Sequence, residues 1–516
     1  MRKHLPPPPF TRFKLWRKHP PMGSRPPKRR RKRLRKPPTV PQTSSSAAND
    51  VVVRDRISYL PDSILCHILS KLPTKTAIAT AVLSTKWKHL FASIPNLTLF
   101  IDDNAVSHQP NPNFVNFMDH LLNVTLRDVP SIHTFVLFCR HDYGKSHVEA
   151  WVSTALGLKV SDLNLYFPVE NTGGVSIEGI FQCETLEELV LYQHLYVEVP
   201  DTVFLPNLTR LVLCYVKFPD FESFGIMISG CPVLEHLSLD GCKFEQTDAF
   251  RICSPSLKFL KLNNCNDDEY EVSIHTPLLE VLIYDDDVGA GYYGMNLNSL
   301  REAYIDVRLT DFMVDETLTD DEDFLRYNQN VAELVAACRN VDCLGLSAPS
   351  MAAITQAINW SSYAIPMFYN LTELKLGDLN VLGWELLPHL LESAPNLETL
   401  VFSGGFTEDE GCFKKIESSI SNPVPTCLSL HLRSIRFEEF NGEQDGMELV
   451  HYFLQTAAVL REMKFSFCCS LPIEMQHFTW LRITLLHKCS KSKNCKIDFA
   501  NENAMLLSFL NWMTTE

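Results

Sequence analysis

One phrase, L-x-x-L-x-L, recurs through the middle of this 516-residue chain. It stands at Leu186, Leu189 and Leu191, then at Leu208, Leu211 and Leu213, at Leu234, Leu237 and Leu239, and at Leu257, Leu260 and Leu262. Weaker versions begin at Ile132, Val160, Leu279, Leu300 and Val341. Clear ones return at Leu371, Leu374 and Leu376 and at Leu397, Leu400 and Phe402. The leading positions 186, 208, 234, 257, 279 and 300 are 22, 26, 23, 22 and 21 residues apart. Within each phrase the last two leucines share one face of a strand, and the first enters the core from the bend before it. Burying three such side chains contributes about 5 to 9 kcal/mol before chain entropy is charged. No unit encloses a core alone, so stacked neighbours must supply it.

This period is that of leucine-rich repeats. The spacing predicts an α/β fold over residues 101–420: a solenoid, curved like a horseshoe, with one short parallel strand per repeat. The residues between the last two leucines should line its concave face; examples are Val190, Val212, Ser238, Lys261, Ile283 and Lys375. Cysteines flank one strand, at Cys231 and Cys242, and read as small buried residues rather than metal ligands. Repetition breaks between Asp306 and Asn340. Seven acids fall between Asp311 and Asp323, followed by the helical run FLRYNQNVAELVAAC. This predicts an acidic insertion near 306–330 leading into one longer helix.

Charge is divided unevenly. Residues 1–50 hold 15 Lys and Arg, 11 Pro and one acid, Asp50, whereas the remainder carries 32 bases and 60 acids. So acidic a body is a poor candidate for direct nucleic-acid binding. The tail, residues 1–54, cannot bury enough apolar area to fold and is expected to be disordered. Its run Lys28, Arg29, Arg30, Arg31, Lys32, Arg33, Leu34, Arg35, Lys36 is a candidate nuclear-import signal; a solvated tail or a transit peptide are the other readings. No apolar run reaches the roughly 18–20 residues that span a bilayer. The expected location is the nucleus and/or cytoplasm, with no membrane partner and with the 16 cysteines reduced.

Residues 55–100 read as three short helices: DRISYLPDSILCHILSKLPTKTAIATAVLSTKWKHLFASIPNLTLF. Leu60, Ile64, Leu65, Ile68, Leu69 and Leu72 form a helical stripe, with Pro61 placed to open the helix and Pro73 to stop it. Thr74 or Thr76 can open the second helix and Ser84 can cap the third, which carries Trp87, Leu90 and Phe91. So small a segment cannot enclose that much apolar surface, and part of the stripe should face a partner. The string D-R-I-S-x-L-P-D-x-I-L, then L-P-T-K-x-A, then L-S-x-x-W-x-x-L resembles the F-box. That resemblance implies docking onto a Skp-type adaptor, and through it a cullin. By position it implies adaptor contacts from Leu60, Pro61, Ile64, Leu65, Leu69, Leu72, Pro73, Trp87 and Leu90. Phe91 stands where many relatives have Trp.

From Pro423 the texture changes. A strand with Leu432, Ile435 and Phe437 leads through Asn441-Gly442 to a helix carrying Leu449, Tyr452, Phe453, Ala457 and Leu460. With P-x-C-L, L-R-x-I-x-F, F-x-G and the closing Ser492, Cys495, Ile497 and Phe499, residues 421–500 resemble the FBD domain of plant proteins. It most simply extends and caps the solenoid as a C-terminal extension, leaving 501–516 as a tail.

Signatures of catalysis are weak. Gly289, Gly291 and Gly294 match G-x-G-x-x-G, but Asp285, Asp286 and Asp287 precede them and would repel a pyrophosphate. His487, Cys489 and Cys495 lack a fourth ligand for zinc. The sequence therefore predicts no catalytic, cofactor or metal site. Its most direct reading is a non-catalytic substrate receptor of a ubiquitin ligase, holding the adaptor by the F-box and an unidentified target protein by the repeats. A scaffold that degrades nothing and a small-molecule sensor are the alternatives.

Overall fold

A computed structural model describes residues 57–500 apart from 58, 81–84, 104–111, 128, 168–177, 193–195, 247–248, 266–269, 309–320, 362, 379–380, 405–423 and 489–493. Every element described below belongs to one unit, Ser58–Glu516.

Three helices come first: α1 (Asp62–Ser70), α2 (Thr74–Ala79) and α3 (Thr85–Leu90). Pro61 does not open α1. It precedes it in extended conformation (ψ 145°), and its carbonyl accepts from the amides of Ile64 and Leu65 at 3.0 and 3.1 Å. Pro73 does the same for α2 (ψ 139°). Each proline also disfavours helix in the residue before it, which is why α1 cannot run on into α2.

The remainder is built on one 15-stranded sheet. Its strands are β1 (Thr98–Asp102), β2 (Thr134–Phe138), β3 (Asp162–Tyr166), β4 (Glu188–Tyr192), β5 (Arg210–Cys214), β7 (His236–Asp240), β10 (Phe259–Asn263), β12 (Val281–Asp287), β14 (Glu302–Arg308), β15 (Cys343–Leu346), β16 (Glu373–Leu376), β17 (Thr399–Phe402), β18 (Ser434–Phe440), β19 (Glu462–Phe467) and β20 (Lys496–Phe499). Every neighbouring pair is parallel and the order follows the sequence. The strands alternate half-buried and buried residues. Paired leucines such as Leu189 and Leu191, Leu211 and Leu213, and Leu260 and Leu262 are buried. The leading Leu186, Leu208, Leu234 and Leu257 are buried too.

Repeat length decides how the chain returns. Repeats of 21–23 residues leave room for little more than a short strand, and the 26-residue repeat from Leu208 adds a nine-residue helix over Phe221–Ser229: β6 (Lys217–Asp220), β8 (Lys243–Gln246), β9 (Ala249–Cys253), β11 (Glu271–His275) and β13 (Gly291–Tyr292) lie between sheet strands in this stretch. Phe218, Phe221, Phe224, Phe244 and Phe250 pack ring on ring beneath them. Longer repeats return through helices, namely α7 (Asp321–Ala337), α8 (Ala348–Ser361) and α9 (Val381–Ser393). The break expected after Asp306 thus lies in a return segment and not in the sheet: β14 reaches Arg308, and Glu302 pairs directly with Cys343. The acidic stretch of residues 309–320 lies outside the described residues, while the helix expected after it is α7.

The C-terminal module adds strands to the same sheet. Ile435 pairs with Leu400, Met463 with Ile435, and Ile497 with Met463. Its helix α11 (Gln444–Thr456) ends before Ala457 and Leu460, which are buried in the turn that follows.

Candidate functional site

The three N-terminal helices are tied to the sheet by residues of L-P-T-K. Phe100 donates its amide to the Thr74 hydroxyl at 2.9 Å, and Lys75 Nζ donates to the Asp102 carbonyl at 2.8 Å. The Lys75 ammonium also lies over the rings of Phe114 and Phe117, 5.8 and 5.7 Å from their centres. Lys86 spans α3 and the start of α1, 2.9 Å from Asp62 and 3.2 Å from the Leu60 carbonyl. β1 begins in the last three residues of the apolar segment and runs two beyond it, a strand that the helical reading of residues 55–100 did not anticipate.

The nine residues with an implied adaptor role divide in two. Leu65, Leu69, Trp87 and Leu90 are buried and pack the three helices together. Pro61, Pro73 and Ile64 (47% exposed) face outward, with Leu60 and Leu72 half-buried beside them. Ile68, one turn after Ile64, is exposed as well and lengthens the stripe. A helix that hides one apolar edge and shows another has the form of a docking surface.

The second surface is the open face of the sheet, formed by the odd positions of each strand. Val190, Val212, Ser238, Lys261, Ile283 and Lys375 fall in one register column, as their spacing predicts. Ser238 is nearly covered (9% exposed), because its short side chain sits between Val212 and Lys261.

One position further along, the column is aromatic. Phe138 stacks on Tyr166 at 5.1 Å, Tyr166 meets Tyr192 at 5.5 Å, and Tyr192 meets Tyr215 edge-on at 6.0 Å. The Arg140 guanidinium lies 4.9 Å over the free side of Phe138. It is held there by Asp102, which accepts from Nε and Nη2 at 3.3 Å each, while the buried Asp103 accepts from the Arg140 amide at 2.8 Å and from Tyr143 Oη at 3.3 Å. At the other end Tyr215 holds a left-handed backbone (φ 56°), unusual for a bulky residue. Its amide donates to the Asp240 carbonyl at 2.6 Å. Its ring lies on Gly241 (φ 62°), where an added Cβ would stand 2.5 Å from the ring. Burial raises the pKa of Tyr166, Tyr192 and Tyr215, so these phenols stay neutral. The leucine phrase stops one residue before this column, but the sequence carries its signal: an aromatic directly after Leu137, Leu165 and Leu191.

In register beyond Cys214 the same column turns acidic, through Asp240, Asn263, Asp285 and Asp306. Lys261 lies 4.0 Å from Asp240 and Arg308 lies 3.3 Å from Asp285. Burial, then the charge of Asp306, pushes the Asp285 carboxyl up to about 6 against the pull of Arg308 and Lys261.

The remaining candidates serve structure where they are described. Gly291 lies in the short strand β13, and Gly294 (φ 59°) follows it in a turn. His487 Nε2 donates to the Cys495 carbonyl at 2.7 Å, and Cys489 lies outside the described residues. Cys231 and Cys242 donate to the carbonyls of Met227 and Leu213, and burial pushes Cys231 up to about 12. A cavity of about 960 Å³ lies on the return side, where Asp201, Asp220, Glu222 and Arg251 contribute to its wall. There Asp220 is engaged in capping α6 (Phe221–Ser229) by accepting from the Ser223 amide. Among the described residues no helix is long and apolar enough to cross a membrane. The basic run 28–36 lies outside the described residues.

Comparison with known proteins matches each part of this arrangement. The F-box domain model covers residues 57–99. A model of the LRR repeats of FBD-associated F-box protein At5g56370 covers 148–299, and the FBD model covers 421–465. The chain is 35% identical to F-box/LRR-repeat protein At4g14096 of Arabidopsis thaliana, over 80% of this chain and 87% of that protein. It is 36% identical to F-box/LRR-repeat protein At4g14103 of the same plant over 68% and 92%. With F-box/LRR-repeat protein At3g59200, also of Arabidopsis thaliana, it shares 32% identity over 90% and 92%. Helices, parallel sheet and C-terminal strands together place the chain in the F-box/LRR-repeat protein family, in a form that carries an FBD module.

Proposed function

We propose that this chain is the substrate-recognition subunit of a Skp–cullin–F-box ubiquitin ligase. The observation that carries the reading is the outward stripe of Pro61, Ile64 and Ile68 on helices that are hydrogen-bonded to the first strand of the sheet. The adaptor takes that stripe, and the open sheet face holds a target protein. Leu65, Leu69, Trp87 and Leu90 keep the stripe in shape from beneath. Ubiquitin transfer takes place on other subunits. This chain contributes proximity, raising the effective concentration of target beside the ubiquitin-carrying enzyme. The bonds from Thr74 and Lys75 suit that role, since they fix the docking helices to the target-holding sheet.

Co-purification with a Skp-type adaptor tests the reading. Leu60→Ala combined with Pro61→Ala should weaken capture, each truncated contact costing on the order of 1 to 3 kcal/mol, while the melting temperature holds. Equal capture by mutant and wild type at matched expression sinks the proposal. Target turnover that continues unchanged when the gene is silenced favours a scaffold instead. The chain is further proposed to act in the nucleus and/or cytoplasm. Replacing Arg29, Arg30, Arg31 and Arg33 with Ala should move a fluorescent fusion toward the cytoplasm if the basic run directs import, and an unchanged distribution makes the tail passive.

A further inference from the structure

The N-terminal half of the open face differs in kind from the rest of it. Three neighbouring strands contribute Phe138, Tyr166 and Tyr192 along one line, Tyr215 joins them from the turn just after β5, and Val136, Asn164, Val190 and Val212 lie beside them. Strands about 4.8 Å apart make this an apolar strip roughly 14 Å long. Among the described residues no hydrogen bond fixes the hydroxyls of Tyr166 and Tyr192, and Tyr215 is 40% exposed. Large rings with polar tips and little rotamer freedom are what binding hot spots are made of. The strip runs in register into Asp240, Asp285 and Asp306, with Asp287 beside them. Lys261 and Arg308 leave acid in excess there. At the C-terminal half the charges are matched: Lys375 lies 3.4 Å from Glu373 and Lys464 lies 3.0 Å from Glu462.

We propose that this aromatic-to-acidic column is the seat of the target, and that it takes an extended peptide segment with a bulky apolar anchor followed by Arg or Lys. The inference deepens the receptor reading and rests on it. Geometry sets the spacing. Tyr192 and Asp240 are two strands apart and Tyr192 and Asp285 four, roughly 10 and 19 Å. At about 3.3 Å per extended residue, the basic side chain falls about three to six positions from the anchor.

Random 12-residue peptides displayed on phage, selected on the full chain bound to its adaptor, test this. Enriched sequences should pair an aromatic or large aliphatic residue with Arg or Lys at that spacing. A synthetic copy of the strongest should lose at least tenfold in Kd on Tyr166→Ala with Tyr192→Ala. Lys464→Ala with Arg436→Ala should leave it unchanged. Should the tyrosine variant melt early, Asp240→Lys, which removes no ring, must weaken binding at least threefold and reduce its salt dependence. The proposal is overturned by absence of enrichment, by selection of acidic peptides, or by binding that survives both the tyrosine and Asp240 changes. Adaptor capture by the same preparation separates the two readings: if it fails, the receptor assignment falls, and if it holds while the peptide results go the other way, only this inference does.

Discussion

The two ends of the open sheet face share a backbone and a core, and differ in almost everything else. On β2 to β5 the outward positions at mid-strand and strand end are Phe138, Tyr166, Tyr192, three valines, Asn164 and Cys214, with Thr134, Asp162, Glu188 and Arg210 at the strand starts, backed by Leu137, Leu165 and Leu191. On β16 to β19 they are Glu373, Lys375, Arg436, Glu462 and Lys464, backed by Leu374, Leu400, Ile435 and Met463. The first set adds a row of stacked rings to its Glu188–Arg210 pair, whereas the second pairs charge with charge. Architecture therefore resides in the inward positions, which hardly vary along the sheet. Recognition is free to reside in the outward ones.

The strongest way to break that division is to attack the inward positions in both halves. Leu237 and Leu374 are fully buried in equivalent columns. Leu237→Asp and Leu374→Asp each place an unpaired charge in the core, at a cost of several kcal/mol, enough to unfold or deplete the protein. Both should lose soluble yield and cooperative melting alike. If either melted like wild type, the inward register assigned to that half would be wrong.

That inward pattern is what the sequence made plain. Leucine at two alternating positions has one physical use, and repetition every 21–26 residues repeats the statement. The N-terminal helices were legible for the same reason, from Leu65, Leu69 and Trp87. Other features were hidden. β1 looked like the tail of a helical segment because five residues, Thr98–Asp102, are too few to show a period. Thr74 read as a helix opener and Lys75 only as part of L-P-T-K-x-A, since their partners, the Phe100 amide and the Asp102 carbonyl, are backbone groups with no sequence signature. The aromatic column needed the register first: Phe138, Tyr166 and Tyr192 are 28 and 26 residues apart, and nothing in a linear reading says they touch.

The next effect in size separates rings from charges. Tyr192 makes two ring contacts, at 5.5 and 6.0 Å. Tyr192→Ala should cost on the order of 1 to 3 kcal/mol, since each aromatic pair is worth about 0.5–1.5 beyond its buried area. Tyr192→Phe should cost almost nothing. Arg436→Ala, in the charged half, should stay within about 0.5 kcal/mol. Denaturant titration of the three variants checks the order. Equal losses at Tyr192→Ala and Arg436→Ala would erase the contrast drawn between the halves.

Titration sharpens it further, because carboxylates at the acidic centre of the face and in its charged C-terminal part are shifted in opposite directions. Asp285 is pushed up to about 6 from 3.8, mainly by burial and then by Asp306. Its folded form holds the proton more tightly than the unfolded chain does. The stability this group contributes is therefore greatest below pH 4 and declines as pH rises to about 6. Asp285→Asn should remove that decline. The variant should gain on the order of 1 kcal/mol relative to wild type at pH 7 and little at pH 4. Unfolding measured from pH 4 to 7 with an unaltered slope would show that Arg308 and Lys261 already offset the burial.

Glu462 supplies the opposite sign and the smallest effect. Hydrogen bonds from Lys464 and then from Ser434 hold its carboxyl below the usual 4.5, outweighing a small opposing contribution from burial. Here the unfolded chain binds the proton more tightly. Stability from the group is present above pH 4.5 and is lost as pH falls through its lowered value. The side chain is largely solvated, so screening keeps the contribution near the bottom of the 0.2–1 kcal/mol range of exposed ion pairs. Glu462→Gln should therefore destabilise slightly at pH 7, less in high salt, and not at all near pH 3. Should Glu462→Gln instead stabilise the protein at neutral pH, as Asp285→Asn is expected to, the charged half would be frustrated rather than matched, and it would become the better candidate for a binding surface.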